Sequence, residues 1–479
     1  MSKLLHNLPI EDLTKENDYL GVIDKANLIQ TILENNTEQF HEIKMFALYG
    51  EWGSGKSTLM KYLESNLKEN FNTFFFDTWQ FEKDDNLPQT LLEFLLKKSE
   101  DLGEKISGDI LKFAGKLFRS LGKSIKIKVP LYPQGPSVDI NPSELVEEFI
   151  KEDISFYEAK QNFKTEFIRW EDNITREKSQ EYNIIFIDDL DRCEPENVLN
   201  LLSAIKLFFT YGKKTIFFFG VDKKAVQQAI QTKYQDVVKS EEYLEKIFDI
   251  SFSMPKHESV LKLVSTYFDE SDVAGEKLNE KIANFFRALH FTNPRKLKKV
   301  LNKYLLLANA KENLADTHPF SKYIGQIFTK ESYGNYFETI LSLYFITLKE
   351  FYSELFITIF DCKLKESIYK KLVHSVRNNE ELDFKLIDYI LKEPIMYAFI
   401  KQKNKNYLPY LFLPYDVIDL REDFMNSNFV HNEIYVEKKE IDYLFLKFLC
   451  EHFDFLKHFA DNDSDKSISD IYQGIKQIL

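Results

Sequence analysis

Five short runs of apolar residues divide the first half of the chain, and helix-like patterns separate most of them. The runs are rich in aromatic and β-branched residues, which favour strands. The run at 184–187 shows no polar alternation, as expected of a strand that is buried on both faces in a parallel sheet. Strands alternating with helices predict right-handed crossovers and a three-layer α/β domain. The runs end near Gly50, Asp77, Asp188, Gly220 and Met254.

The remainder of the chain has helical patterning. Residues 255–305 carry apolar positions at helical spacing, which is typical of a small helical lid. From 306 to 479 the chain is rich in Phe, Tyr and Lys, and its apolar stretches favour a mainly α-helical domain. We therefore predict one domain over 1–305, with an insertion at about 85–180 and the lid at about 255–305, and a second domain over 306–479.

A glycine-rich loop follows the first apolar run and precedes a helix-like stretch. Its spacing is G-x-x-x-x-G-K-[ST], the phosphate-binding loop pattern, and strand–loop–helix is the context that this motif requires. Backbone N–H groups and the positive end of the helix dipole bind a polyphosphate there. We expect Lys56 to contact the β- and γ-phosphates and the Ser57 hydroxyl to bind Mg²⁺. The predicted nucleotide-binding residues of the loop are Gly50, Glu51, Trp52, Gly53, Ser54, Gly55, Lys56, Ser57 and Thr58.

Two carboxylates follow the third apolar run. Asp188 lies at the predicted C-terminal tip of that strand, where a Mg²⁺-binding Asp belongs in a parallel sheet. Asp189 is placed to orient the attacking water. Taken alone, the two acids fit a solvated turn equally well. After a complete phosphate loop, they favour hydrolysis of a nucleoside triphosphate.

Several segments in order resemble the KAP family of P-loop NTPases, which is related to the STAND ATPases. The resemblance covers about residues 20–305, except for 85–180, where nothing specific is found. It implies an ATPase, with ATP favoured over GTP, whose binding or hydrolysis of nucleotide switches a conformation. The strand between the phosphate loop and the paired acids, and the strand after those acids, fit the additional-strand class of P-loop proteins. The matching segments are 75–81, 188–193, 215–222, 243–248 leading to Pro255, and 292–298.

Five further residues were assigned from their positions. Asp222 ends the fourth run, where it could sense the γ-phosphate through a water or cap the following helix, and both roles stay open. Arg295 is a candidate lid arginine that contacts the phosphates, as the resemblance implies. Arg192 fits a local ion pair with a neighbouring acid, which we favour, or an arginine finger donated to another subunit. Trp52 and Trp79 are predicted to be packing residues, Trp79 in the core beneath the site.

Composition limits the class of protein. At 479 residues and 44% hydrophobic, the chain is long enough for two or three domains. The net charge of −13 argues against a surface that coats nucleic acid as a whole. The cysteines lie too far apart for a metal knuckle or a disulfide framework, which favours a reducing cytosol. With no signal peptide and no run of about 20 apolar residues, we expect a soluble, cytoplasmic protein, unlike membrane-anchored KAP members.

Three segments bear on partners. Residues 106–121 form an apolar helical stripe flanked by basic residues, which could lie on anionic lipid or nucleic acid, although we favour packing on the core with solvated lysines. Residues 125–129 alternate like a strand, and 142–181 read as a long charged helix suited to a partner. Residues 401–407 interleave lysine with an aromatic residue, which suits single-stranded nucleic acid, although a solvated loop is favoured.

These observations predict a Mg²⁺-dependent ATPase that acts as a nucleotide-driven conformational switch. The resemblance implies a bacterial anti-phage defence or similar conflict system, with a protein partner or a homo-oligomer. One alternative is a nucleotide-binding scaffold with little turnover, which the intact phosphate loop and paired acids argue against. The other is a nucleic-acid-stimulated ATPase, which the acidic charge disfavours.

Overall fold

The computed structural model describes most of the first 313 residues and a smaller part of the remainder. Contacts divide the chain into a core unit, Leu8–Lys256, and a second unit made of Met1–Asn7 and His257–Leu479. The predicted domain division at residue 305 stays a prediction. The described residues are 4–69, 71–82, 84, 86–100, 109–119, 155–178, 180–234, 237–255, 260–273, 275–313, 333–353, 356, 441, 444, 445, 448 and 452.

A five-stranded parallel sheet forms the centre of the core unit. Its strands are β1 (Met45–Tyr49), β2 (Phe71–Asp77), β3 (Tyr182–Asp188), β4 (Thr215–Val221) and β5 (Ile250–Ser253). Their spatial order is β2-β3-β4-β1-β5, and all four neighbouring pairs are parallel. Since β4 lies between β1 and β3, an additional strand separates the two strands that carry the predicted site. The predicted α/β class with a parallel sheet is confirmed.

Helices cover both faces of this sheet. They are α1 (Val22–Asn35), α2 (Lys56–Asn66), α3 (Leu87–Glu100), α4 (Asp109–Arg119), α5 (Phe156–Lys178), α6 (Pro195–Leu207), α7 (Lys223–Tyr234) and α8 (Val237–Ile247). Along β1, Met45 and Ala47 face the cluster formed with α3 to α8, whereas Phe46 and Leu48 face the cluster formed with α1 and α2. Burial of both faces explains why the central strands β1, β3 and β4 are almost continuous apolar runs, whereas the edge strand β5 alternates apolar residues with exposed serines.

The insertion contributes α3, α4 and α5 to one face of the sheet. The apolar stripe predicted in this region is buried at Ile110, Ala114 and Leu117 of α4, while Lys116 is exposed. This arrangement agrees with packing of the stripe on the core. Of the charged helix predicted over 142–181, α5 covers Phe156–Lys178, and residues 142–154 lie outside the described residues. The predicted strand at 125–129 also lies outside them.

The second unit is mainly helical in its described part. Its elements are α9 (Leu261–Val264), β6 (Asp272–Val273), β7 (Glu276–Lys277), α10 (Leu278–Ala288), α11 (Pro294–Asn313) and α12 (Tyr333–Phe351). The antiparallel β6–β7 hairpin was not predicted from the helical pattern of this region. The basic segment at 401–407 lies outside the described residues. No helix in the ranges described is long and apolar enough to cross a membrane.

A buried lysine lies at the amino edge of the sheet, directly before β1. Lys44 is 3% exposed, and its ammonium has no hydrogen-bond partner among the described residues. Burial lowers the pKa of Lys44 to about 8, against the opposing effect of the Glu171 carboxylate. That carboxylate accepts hydrogen bonds from the backbone N–H groups of Lys213 (2.7 Å) and Lys214 (2.6 Å). Glu171 therefore keeps these partners when Lys44 is replaced.

We expect Lys44→Met to raise the free energy of unfolding by about 2 kcal/mol near neutral pH, because a charged group is no longer buried. Between pH about 8 and the ordinary lysine pKa of 10.5, Lys44 keeps its proton in the unfolded chain but has released it in the folded wild type. Wild-type stability therefore gains from rising pH in this window, and the benefit of the substitution shrinks there. Urea unfolding below, within and above the window measures both effects.

Lys206→Met is the matched control for this prediction. The Lys206 ammonium lies 2.7 Å from Asp249 Oδ1, so its removal should cost up to about 1 kcal/mol rather than stabilise the fold. A loss of stability of the same size in Lys44→Met would contradict the assignment of Lys44 as an uncompensated buried charge.

Candidate active site

The glycine-rich loop connects β1 to α2 at the carboxyl edge of the sheet. Gly55 precedes α2 with a φ of 99°, a conformation that residues with a Cβ rarely adopt. A Cβ at Gly50 would lie 2.5 Å from Ser54 Oγ and 2.6 Å from Met254 Cγ, so only glycine fits there. The loop backbone is thereby curved in front of the N-terminus of α2, which is the arrangement that binds phosphate groups.

Lys56 is the first residue of α2 and is buried. Its Nζ donates hydrogen bonds to the carbonyl oxygens of Gly50 (2.9 Å) and Glu51 (3.2 Å), so two of its three N–H donors span the loop. A phosphate oxygen would form stronger, charge-assisted bonds than these neutral carbonyls. The Thr58 hydroxyl accepts a hydrogen bond from the Ile10 backbone N–H at 3.2 Å, so this side chain contacts the segment before α1.

Asp188 ends β3 and is 4% exposed. The nearby Ser57 hydroxyl, the Asp189 backbone N–H and the Lys56 charge all favour the ionised form of its carboxylate. Burial nevertheless raises the pKa of Asp188 above its ordinary value, and repulsion from Asp77 adds to this effect. Its Oδ1 is buried and has no hydrogen-bond partner among the described residues. A buried polar atom without a partner needs an explanation, and a bound cation is one.

The pair of Ser57 and Asp188 fits Mg²⁺. This ion prefers oxygen ligands and usually takes only one or two from the protein, with phosphate and water oxygens completing its shell. In the part of the chain that the structure describes, no group of three or more His, Cys, Asp or Glu side chains could hold a metal ion. Ser57 and Asp188 supply two oxygen ligands, which suits a cation whose shell is completed by phosphate and water oxygens.

Asp189 turns the chain away from β3. Its φ of 54° and ψ of 27° are left-handed, which is uncommon for a residue other than glycine and is often found at functional sites. Burial and the neighbouring Asp188 charge raise the pKa of Asp189 to about 6, while the Arg192 guanidinium opposes the rise. The side chain remains 21% exposed, so water can reach this carboxylate.

Arg192 contacts both Asp189 and Trp79. Its Nη2 lies 3.2 Å from Asp189 Oδ2, which is the local ion pair that the sequence favoured. Its Cζ lies 4.1 Å from the centroid of the Trp79 ring, within the range of a cation–π interaction. The guanidinium therefore connects the turn after β3 to the turn after β2.

The packing role predicted for both tryptophans is wrong. Trp79 is 50% exposed and Trp52 is 49% exposed. Trp79 lies in the one-turn helix Thr78–Phe81 that follows β2, and in this turn Phe81, not Trp79, stacks on Phe76 of the core. Trp52 lies at the tip of the phosphate loop, which projects from the sheet edge. Both rings are thus on the surface of the candidate site.

Asp222 follows β4 and joins the loop to the start of α7. Its Oδ1 accepts a hydrogen bond from the Lys224 backbone N–H at 3.1 Å, which caps the helix. Its Oδ2 accepts one from the Trp52 backbone N–H at 3.0 Å. The cap is therefore present, and the residue also lies against the phosphate loop. Its role in sensing the γ-phosphate stays a prediction.

Two residues of the site were missed from the sequence. Asp77 ends β2 in register with Asp188, and its oxygens accept from the Trp79 backbone N–H and the Gln80 side-chain amide, both at 3.1 Å. The sequence did contain a signal for Asp77, because this residue ends an apolar run as Asp188 does. Gly220 of β4 lies against the Asp188 carboxylate, which no local pattern indicates.

Arg295 belongs to the second unit. Its guanidinium donates to the carbonyl oxygen of Asn7 at 3.2 Å, and its backbone N–H donates to Asn293 Oδ1 at 3.2 Å. Lys298 of the same helix, α11, donates to the carbonyl oxygen of His6 at 3.1 Å. The basic start of α11 thus binds the N-terminal segment. The phosphate contact assigned to Arg295 stays a prediction.

Two glycines offer a matched test of the site. A Cβ at Gly220 would lie 2.7 Å from Met60 Sδ and 2.8 Å from Asp188 Oδ1, whereas a Cβ at Gly212 would overlap the Glu171 carboxylate at the other edge of the sheet. We expect either alanine substitution to lower the free energy of unfolding by about 1–3 kcal/mol, because buried neighbours must move.

Gly220→Ala alone should also weaken Mg²⁺-dependent nucleotide binding, by about 10-fold or roughly 1.4 kcal/mol, because it displaces the Asp188 carboxylate. Titration with a fluorescent ATP analogue, with Mg²⁺ or with EDTA, measures this effect. Equal nucleotide affinity in Gly220→Ala and Gly212→Ala would argue against a metal-binding role for Asp188.

The chain is similar to known proteins over the region that contains the candidate site. The KAP family P-loop domain matches residues 25–310. Two uncharacterized proteins of Methanocaldococcus jannaschii are similar. MJ0181 is 40% identical over 126 residues, which is 26% of this chain and 50% of that protein. MJ0182 is 34% identical over 171 residues, which is 30% of this chain and 88% of that protein. The chain thus spans about half the length of the first relative. With the whole sheet, the phosphate loop and both acids inside the matched region, the chain belongs to the KAP family of P-loop NTPases.

Proposed function

We propose that this KAP-family protein is a Mg²⁺-dependent ATPase. The family domain supports nucleotide binding and hydrolysis in general. The observation that carries the proposal is the buried Oδ1 of Asp188, near the Ser57 hydroxyl, which has no hydrogen-bond partner in the part of the chain that the structure describes. Lys56 and Asp189 lie at the same edge of the sheet, so phosphate binding, metal binding and water activation can occur together.

The phosphates of ATP bind in the loop ahead of α2. Loop N–H groups and the helix N-terminus contact the phosphate oxygens, and Lys56 exchanges the Gly50 and Glu51 carbonyls for oxygens of the β- and γ-phosphates. Ser57 and Asp188 would hold Mg²⁺, which would neutralise part of the phosphate charge. ATP is favoured over GTP on the family resemblance.

Asp189 is the proposed base. It accepts a proton from water as the water oxygen forms a bond to the γ-phosphorus. The bond between the γ-phosphorus and the β–γ bridging oxygen breaks, and its electron pair leaves with ADP, whose developing charge Lys56 stabilises. The partial exposure of the Asp189 side chain supports access of the water.

Hydrolysis drives a conformational switch in this proposal. The hydrogen bonds of Asp222 support this switch. Its carboxylate accepts hydrogen bonds from the Trp52 N–H of the phosphate loop and from the Lys224 N–H at the start of α7, so movement of the loop is transmitted to the helix. Arg295 and the lid at 255–305 are the proposed transmitting elements, and 306–479 is the proposed sensor or docking surface. The family resemblance favours a bacterial anti-phage or similar conflict system, with a protein partner or self-association.

Phosphate release by the purified protein tests the proposal. It is measured with ATP and GTP, with Mg²⁺ or EDTA, and with and without DNA or RNA, alongside molecular mass by light scattering. We expect Mg²⁺-dependent turnover of ATP and a change of mass or shape with nucleotide. Stimulation by nucleic acid that falls steeply with salt would favour a nucleic-acid-stimulated ATPase instead. Nucleotide binding with no turnover in any of these conditions would favour a scaffold.

A further inference from the structure

Trp79 and Arg192 form a cation–π pair beside the proposed base. Trp79 is half-exposed, yet the guanidinium of Arg192 covers its ring, with Cζ 4.1 Å from the centroid. The Arg192 side chain is only 23% exposed. An arginine that stacks on an aromatic face loses little further freedom when it forms a hydrogen bond, since its planar group is already oriented.

The turn that carries Trp79 is itself held in place. Asp77 accepts the Trp79 backbone N–H at 3.1 Å, which caps the turn. The Thr78 hydroxyl donates to the backbone carbonyl of Asp188 at 2.7 Å, and Cys193 Sγ donates to the carbonyl of Thr78 at 3.7 Å. The turns after β2 and β3 are thus joined by hydrogen bonds, so the position of the ring is set relative to the end of β3.

The Asp189 carboxylate forms an ion pair with the guanidinium of Arg192. Arg192 Nη2 lies 3.2 Å from Asp189 Oδ2, and the Arg192 backbone N–H donates to the Asp189 carbonyl at 3.1 Å. An exposed ion pair between two free side chains has little orienting power. Here the stacked ring restrains the arginine, so the ion pair restrains the carboxylate as well.

We propose that Trp79 and Arg192 are positioning residues for hydrolysis, in which the stacked guanidinium holds the Asp189 carboxylate in the orientation that receives the proton from water. This inference rests on the proposed ATPase function. Neither residue touches the reacting atoms in this proposal, and both act through Asp189 within the same chain. Misplacement of a catalytic group by about 1 Å can cost about 100-fold in rate, which sets the scale of the effect.

The test compares four substitutions by kcat and by affinity for ATP. Arg192→Met should lower kcat about 10- to 100-fold, and Trp79→Leu about 3- to 10-fold, with ATP affinity within about 2-fold of wild type. Trp79→Phe keeps an aromatic face and should restore most of the rate, and Arg192→Lys keeps the charge without the planar stack and should restore less. Arg169→Met is the matched control, because the exposed Arg169 pairs with Glu166 on α5, away from Trp79 and Asp189.

Epistasis separates positioning from a general structural effect. In the Asp189→Asn background, Arg192→Met and Trp79→Leu should lower the remaining rate no further, and the Arg192→Met/Trp79→Leu double variant should match Arg192→Met. Losses that add in these backgrounds, or that appear as weaker ATP binding, would overturn the proposal. So would recovery of activity when Arg192→Met and Asp189→Asn proteins are mixed, since that result places Arg192 in a neighbouring subunit.

Crystal structures of the wild type, Arg192→Met and Trp79→Leu provide a readout that needs no turnover. The carboxylate of Asp189 should adopt a different rotamer or several rotamers in the two variants, and one orientation in the wild type. An unchanged Asp189 in both variants overturns the positioning role. A wild-type protein without turnover contradicts the ATPase proposal, and the crystal structures then decide the positioning role separately.

Discussion

Lys56→Ala should abolish tight ATP binding, with affinity lowered by at least about 100-fold. The lysine is buried at the start of α2, and its ammonium spans the loop through the carbonyls of Gly50 and Glu51. Alanine removes the ammonium that lies among these carbonyls, so the phosphates lose its charge-assisted hydrogen bonds. Isothermal titration calorimetry with ATP and Mg²⁺ measures the loss directly.

Lys61→Ala is the matched control for this substitution. Lys61 lies further along the same helix, and its ammonium forms an exposed pair with Glu11 at 3.4 Å. Its removal should change ATP affinity by less than about 2-fold, because screened surface charges contribute little. If Lys56→Ala bound ATP as tightly as Lys61→Ala did, the loop would not be the nucleotide site.

Asp189→Asn should keep ATP bound while lowering kcat by about 10²- to 10⁴-fold, the range that general bases contribute. The amide has nearly the same shape as the carboxylate but cannot accept the proton from water at neutral pH. The Asp188 carboxylate, the proposed Mg²⁺ ligand, is untouched, so affinity for ATP should stay within a few-fold of wild type. Single-turnover hydrolysis, with ATP affinity measured in parallel, separates the two quantities.

Asp191→Asn makes the same charge change in the turn Leu190–Arg192 and serves as the control. In the structure, Arg192 pairs with Asp189 and the proposed base is Asp189, so Asp191→Asn should retain most of the wild-type kcat. If both asparagine variants hydrolysed ATP at the wild-type rate, Asp189 would not be the base. If instead Asp191→Asn alone lost activity, the assignment of the base would move to Asp191.

The phosphate loop, the paired acids and the strands could be predicted because each is encoded locally. The residues from Gly50 to Ser57 are contiguous, and their spacing alone specifies a loop between a strand and a helix. The five apolar runs correspond to the five strands, and burial of both faces explains the nearly unbroken apolar sequences of the central strands β1, β3 and β4. The helical stripe at Ile110, Ala114 and Leu117 was likewise visible from its period.

Trp79 shows where local pattern fails. Tryptophan is a large apolar residue, so its position after an apolar strand favoured burial. The direction of the following turn instead leaves the ring on the surface, where a guanidinium from a distant turn covers one face. No local property of residues 75–81 indicates that Arg192 would lie there, because the contact depends on β2 and β3 being neighbours in the sheet.

The spacing of residues along the chain thus determined which functional groups lie at the phosphate-binding loop, namely a lysine, a hydroxyl and two carboxylates. The order of the strands set which of these groups meet. Because β4 lies between β1 and β3, Gly220 lies against the Asp188 carboxylate. Because β2 pairs with β3, Asp77 is in register with Asp188. Such contacts join residues far apart in sequence, and they follow from the packing of the whole sheet rather than from the period or propensity of any one segment.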